Sequence, residues 1–197
     1  MNVIVITGTP GCGKTTISRK ISKRINAKCV SLNELATSER FIEGYDEDRD
    51  TYITNIKELK LYLKDIINQS SKNNEKFIII EGHFADIVPN EYIDLVIILR
   101  CHPDILKKRL EKRNYKKKKV KENIQAEILG NSANYIFEKD LECPIYEFDT
   151  SDITVNQTLE LILKVITQNK LEEKYRFGKI DWLEKLSKKN RLNEFFD

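Results

Sequence analysis

The residues with the clearest chemical purpose stand near the N-terminus, in the run Gly8-Thr9-Pro10-Gly11-Cys12-Gly13-Lys14-Thr15-Thr16. They match G-x-x-x-x-G-K-[ST] at every fixed position. Triphosphate oxygens need donors packed closer than side chains allow, so backbone N–H groups must face inward along a tight loop, and glycines permit that approach. A helix opening at the end of the run adds unpaired N–H groups and the positive end of its dipole. Lys14 supplies a mobile point charge at the β/γ bridge, and the Thr15 hydroxyl is placed to ligate Mg²⁺. ATP and Mg²⁺ are therefore the expected cofactors. A dinucleotide fold is excluded, because G-x-G-x-x-G is absent.

Such a loop needs an acidic residue at the end of a neighbouring strand to hold the water shell of the metal. Phe77-Ile-Ile-Ile-Glu81 offers one, followed by Gly82-His83. Glu81 reads as that carboxylate, and as a metal-site residue together with Thr15. The plainer reading makes it a strand cap. His83 is suited to orient an attacking water or an acceptor phosphate, or to relay a proton; its plainer reading is a loop histidine bonded to backbone. Arg109 and Arg113 stand four apart, on one face of a helix expected over Pro103–Lys112, where they can close on the triphosphate. The basic run Lys116–Lys119 with Lys121 follows. It reads as a solvated charge run, with a phosphate-backbone contact to RNA as the alternative. Tyr115 beside it is suited to stack on a base or to pack locally.

Around these groups, short β-branched runs alternate with longer amphipathic stretches, the pattern of a parallel sheet covered by helices. Strands are expected at Val3–Thr7, Lys28–Ser31, Phe77–Glu81, Leu95–Leu99 and Ile145–Phe148. Three of them are apolar on both faces, as strands buried between helical layers should be. Helices are expected over Gly13–Ile25, Asp50–Ser71, Pro103–Lys112, Val120–Lys139 and Val155–Asn169, with a capping box at Ser31-Leu-Asn-Glu34 opening a short one. Between the second strand and the long helix lies Arg40-Phe-Ile-Glu-Gly-Tyr-Asp-Glu-Asp-Arg-Asp50, too acidic for a core. Kinases of nucleoside monophosphates insert their acceptor site at this point. Phosphate recognition favours arginine, and only Arg40 and Arg49 are on hand there.

With 197 residues, 40 % hydrophobic and 33 % charged, the chain has the composition of one ordinary globular domain. A net charge of +3 permits nucleotide or RNA binding without arguing for either. The apolar runs are far below the ~20 residues of a membrane span, and no secretory signal is expected before the first strand. Four cysteines without metal-ligand spacing fit reduced thiols in a cytoplasmic protein. The aromatic tail from Lys170, with Tyr175, Phe177, Trp182, Phe195 and Phe196, is expected to pack on the domain or to bind a partner.

Taken together, the segments Thr7–Thr16, Gly44-Tyr-Asp-Glu47, Glu81-Gly-His83, Leu110-Glu-Lys-Arg-Asn-Tyr115 and Lys121-Glu-Asn-Ile-Gln-Ala-Glu127 resemble one family. It is the adenylate-kinase-like ribosome-assembly ATPases, the coilin-interacting nuclear ATPase of animals and its archaeal relatives. The resemblance spans residues 1–165. It implies a three-layer α/β/α P-loop kinase fold: a five-stranded parallel sheet with a monophosphate-binding insertion at about 32–56 and a lid at about 112–122, all within residues 1–169. Residues 170–197 form the tail and lie outside it. It also implies adenylate kinase activity (ATP and AMP to two ADP) together with ATPase activity. The implied role is maturation of the small ribosomal subunit, with a uS11-type ribosomal protein as partner. By position, Gly11, Gly13, Lys14, Thr15 and Thr16 would bind ATP phosphates, Arg113 would reach ATP from the lid, and His83 would be the catalytic histidine. Two departures stand out: the family commonly has Asp at the position of Glu81 and Gly at that of Asn114.

Overall fold

A computed structural model describes residues 1–47, 51–168 and 172–196. Its sheet consists of β1 (Asn2–Thr7), β2 (Lys28–Ser31), β5 (Phe77–Glu81), β6 (Leu95–Arg100) and β7 (Ile145–Asp149). The strands are all parallel, in the order β2-β5-β1-β6-β7. Side chains alternate across a strand, and here the two sets feed two separate cores. Ile4, Ile6, Ile79, Ile97 and Leu99 pack on one face of the sheet. Val3, Val5, Ile78, Ile80, Val96 and Ile98 pack on the other. The first face is covered by α1 (Lys14–Ile25), α4 (Pro103–Glu111), α5 (Lys117–Ile128) and α7 (Val155–Gln168). The second is covered by α2 (Leu32–Ala36), α3 (Ile56–Lys72) and α6 (Asn131–Phe137). This is the three-layer α/β/α architecture of P-loop kinases.

Three expected elements differ in outline. The long helix does not begin at Asp50, which lies outside the described residues together with Asp48 and Arg49. Instead Thr51–Thr54 forms β4, antiparallel to β3 (Ile42–Asp46). Thr-Tyr-Ile-Thr is β-branched and aromatic, which suits a strand, and Asn55 starts α3 by accepting from the Glu58 amide at 2.9 Å. The helix expected over Val120–Lys139 is two helices, α5 and α6, separated at Gly130 with φ 68°. The helix expected to Lys112 ends at Glu111, so Arg113 lies in the turn beyond it. That turn closes through Asn114 at φ 57°, a left-handed conformation open to asparagine as well as to the family's glycine.

The capping box at Ser31 is half made. Its hydroxyl accepts from the Glu34 amide, while the Glu34 carboxylate pairs with Arg19 at 2.8 Å. The tail contributes α8 (Trp182–Ser187) and α9 (Asn193–Phe196), with Trp182, Leu186 and Phe195 all buried. Phe195 is fastened to α5 by a bond from Gln125 Nε2 to its carbonyl at 2.9 Å. Arg191 forks onto Asp104 in the first turn of α4 at 2.9 and 3.0 Å. Among the described residues no helix is long and apolar enough to cross a membrane.

Candidate active site

Residues 8–13 leave the end of β1 and turn directly into α1, whose N-cap, Gly13, provides no side-chain cap. No acidic residue occupies the first turn. The first amides of α1 thus keep their donors for an anion. Lys14 is buried, and its ammonium folds back to donate to Gly8 O at 2.8 Å and Thr9 O at 3.2 Å. Burial lowers its pKa, and the Arg113 charge pushes the same way against Cys12, Glu81 and Glu127. Arg113 itself is exposed. Cys12 is fully buried, and that burial, reinforced by Glu127, raises its thiol well above the usual range. It is a neutral packing group whose backbone belongs to the loop. Thr15 and Thr16 lie exposed on the first turn of α1.

Parallel register carries Glu81 to this turn, beside Ile6 of β1 and Ser31 of β2. Its Oε1 accepts from Ser31 Oγ at 2.8 Å and from Thr15 Oγ1 at 3.2 Å. Its Oε2 is buried without a hydrogen-bond partner among the described residues, and an orphaned carboxylate oxygen calls for one. A hydrated Mg²⁺ fits that need, because this ion keeps several waters and takes few protein ligands beside substrate phosphates. Among the described residues no group of three or more His, Cys, Asp or Glu could cage a metal. The donor set therefore suits an ion arriving with a nucleotide.

His83, two residues past Glu81, is placed by Asn33 at the start of α2, with Nδ1 to Oδ1 at 3.0 Å, and by the edge of the Phe84 ring. Asn33 Oδ1 can only accept, so Nδ1 carries the proton and Nε2 is left as an acceptor. The ring is open to a cavity yet crowded by its walls. That desolvation, with Lys14 and Lys119 adding to it, pulls the pKa down to about 4, and the imidazole is neutral at pH 7. The cavity, about 860 Å³, runs from the loop lips Thr9 and Pro10 to the β3–β4 hairpin. Lys119 and Asn123 of α5 line its opposite wall, with Tyr115, Tyr52 and Tyr135 at its sides.

The expected arginines part company. Arg109 is tied to Thr150, whose hydroxyl shares its one hydrogen between the carbonyls of Cys12 (3.2 Å) and Arg100 (3.0 Å). It braces the rear of the phosphate loop, while Arg113 stands exposed in the turn after α4. Arg40 lies over the Tyr62 ring at 4.4 Å and pairs with Glu58; it does not line the cavity. Sequence reasoning gave Ser31 a helix cap but no place in the site, and gave Asn33 and Thr150 none either. Each sits at the end of a strand or the start of a helix, and only the parallel register brings them to the loop. Glu127 was visible as the end of a motif, without a role.

A family model described as "AAA domain" matches residues 4–130. A protein of Methanocaldococcus jannaschii named "Putative adenylate kinase" is 38 % identical over 182 residues, covering 92 % of this chain and 93 % of the relative. One of the same name from Thermococcus onnurineus is 33 % identical over 186 residues, covering 94 % of each. Among solved structures, a deoxyadenosine kinase from M. mycoides aligns with a TM-score of 0.56 and 20 % identity, covering 85 % of this chain and all of that one. A shikimate kinase from Acinetobacter baumannii aligns at 0.58 and 12 %, covering 87 % and 96 %. With its phosphate loop, strand-end carboxylate and parallel sheet, the chain belongs to the adenylate-kinase-like family of P-loop ATP-binding enzymes represented by these archaeal proteins.

Proposed function

We propose that this enzyme transfers the γ-phosphoryl group of ATP to AMP or a related nucleoside monophosphate, and hydrolyses ATP when no acceptor is bound. The observation that carries the reading is the cavity that begins at the loop lips and continues under the β3–β4 hairpin. It offers a second compartment beside the triphosphate loop, of a size that small ligands fill. An acceptor phosphate oxygen there attacks the γ-phosphorus as the bond to the β-bridging oxygen breaks and ADP leaves. Lys14 and Arg113 oppose the charge spreading over the transferred group. Mg²⁺ held by Thr15 and Glu81 would neutralise phosphate charge. Neutral His83 accepts through Nε2 from the attacking water in hydrolysis, and from a hydroxyl of the acceptor in phosphoryl transfer.

ADP formed from ATP plus AMP, measured against ATP alone, tests this. AMP should raise ADP output several-fold; no stimulation by any nucleoside monophosphate would sink the assignment of acceptor. One observation favours a second reading, a different small acceptor: among the described residues, no arginine lines the cavity, and Lys119 is its one cationic side chain. The fold is shared with kinases named for deoxyadenosine and shikimate. A panel of acceptors scored by ADP release separates the two.

A role in maturing the small ribosomal subunit, in the cytoplasm, with a uS11-type protein as partner and rRNA contact at Lys116–Lys119, follows from the motif resemblance. Binding to that partner with and without a non-hydrolysable ATP analogue tests the role. Affinity that ignores the nucleotide would remove the switch from the reading.

A further inference from the structure

Three fully buried charged side chains lie behind the phosphate loop. Arg100, at the end of β6, is held between Glu127 of α5 and Glu147 of β7, 2.9 Å from each, and all three are at most 3 % exposed. One cation between two carboxylates leaves a net negative charge in the interior, tolerable only where the remaining lone pairs are satisfied. They are, and by two separate parts of the chain. Glu147 Oε2 accepts from the Gly178 amide at 2.8 Å. Glu127 Oε1 accepts from Arg100 Nε, from the Cys101 amide at 3.0 Å and from the Trp182 indole at 3.1 Å. Glu127 Oε2 accepts from the hydroxyl of Thr9 in the phosphate loop, with the Cys12 thiol at 3.8 Å. A single carboxylate therefore joins the loop to the tail.

Buried ion clusters are often matched or bettered in stability by apolar residues of similar volume, so packing alone gives little reason for this one. We propose that Glu127 is a positioning residue for the phosphate loop, through which the docked tail sets ATP affinity. Trp182 fixes the carboxylate, the carboxylate fixes Thr9, and Thr9 sets the direction of the amides that follow it. Residues 172–196 are then part of the nucleotide site although they do not line the cavity. The inference rests on the loop being the ATP site and is indifferent to the acceptor.

The test is a double-mutant cycle on ATP affinity in the full chain, with unfolding followed in parallel. Trp182→Phe keeps a ring and removes the N–H; Thr9→Val keeps the shape and removes the hydroxyl. Each should weaken ATP binding by roughly threefold to tenfold. Together they should weaken it no more than the worse of the two, because both cut one chain of bonds. Thr9→Ser, which restores the hydroxyl, should bind ATP as the native chain does. Glu127→Gln with Thr9→Val supplies a second cycle that leaves Trp182 in place. Losses that multiply, or a Trp182→Phe chain that melts earlier yet binds ATP normally, overturn the proposal. Lys14→Ala in the same assay keeps the two readings apart: unchanged ATP binding there retires the ATP site itself, and the proposal with it.

Discussion

Adding one methyl group at either end of the phosphate loop should have opposite consequences for folding and for ligand binding. A Cβ at Gly8 would lie 2.2 Å from the carbonyl oxygen of Leu99, with φ at 139°. That oxygen is backbone of β6, paired to β1 through Thr7 and Ile98, and neither strand can yield without opening the centre of the sheet. Backbone strain of about 1–3 kcal/mol plus an unrelieved contact puts Gly8→Ala above ~4 kcal/mol, a large part of a total of about 5–15 kcal/mol. At Gly13 φ is 100°, yet a Cβ there meets no atom within 4 Å. Gly13→Ala should therefore cost only the strain, about 1–2 kcal/mol. The open space in front of Gly13 is the mouth of the helix, where phosphates must come close. ATP affinity should accordingly fall at least about tenfold in Gly13→Ala, since one lost or displaced contact of ~1.4 kcal/mol is a factor of ten. Urea unfolding of both variants and ATP titration of Gly13→Ala measure this. If Gly13→Ala destabilises as much as Gly8→Ala, or folds and binds ATP at native strength, the geometric reasoning about the loop is wrong.

Lys14→Met should lower turnover by about a hundredfold or more while leaving unfolding almost unchanged, since the surroundings of Lys14 lower its pKa and so oppose its charge. For such a group the stabilisation is fully present above the ordinary lysine pKa and lost as pH falls through the lowered one. The native chain should thus gain stability relative to Lys14→Met as pH rises through the alkaline range, seen in melts at pH 7 and 10. Glu81→Gln keeps an oxygen for Ser31 and Thr15 to donate to; its melting point should hold while the Mg²⁺ needed for half-maximal rate rises by about tenfold. His83→Ala should reduce turnover more than ATP affinity, checked by steady-state kinetics beside ATP titration. With its pKa at about 4, His83 should put no step in the rate profile between pH 5.5 and 8. Its contribution to stability is present above the ordinary histidine value and lost as pH falls through about 4. His83→Ala should flatten that acid-side loss in melts at pH 7 and 4.5.

The phosphate loop, the five strands and the carboxylate at the end of one of them were legible in the order of residues alone. Those features are local: a spacing of glycines before Lys-Thr, β-branched runs, and periodicity that no distant residue needs to complete. Asn55, which caps α3, and Gly130, which separates α5 from α6, were local signals too, but neither was read as a boundary within the longer helices expected there. Which side chains serve the loop emerges only once the chain is folded. Arg109 and Arg113 share a spacing, yet one binds Thr150, 41 residues away, and the other stands in a turn. Arg40 lies on a tyrosine instead of facing the acceptor cavity. Glu127 meets Thr9 across 118 residues and Trp182 across 55. Pairings of that separation follow from strand order and register, which depend on how both sheet faces bury their helices together. No one-dimensional pattern encodes them.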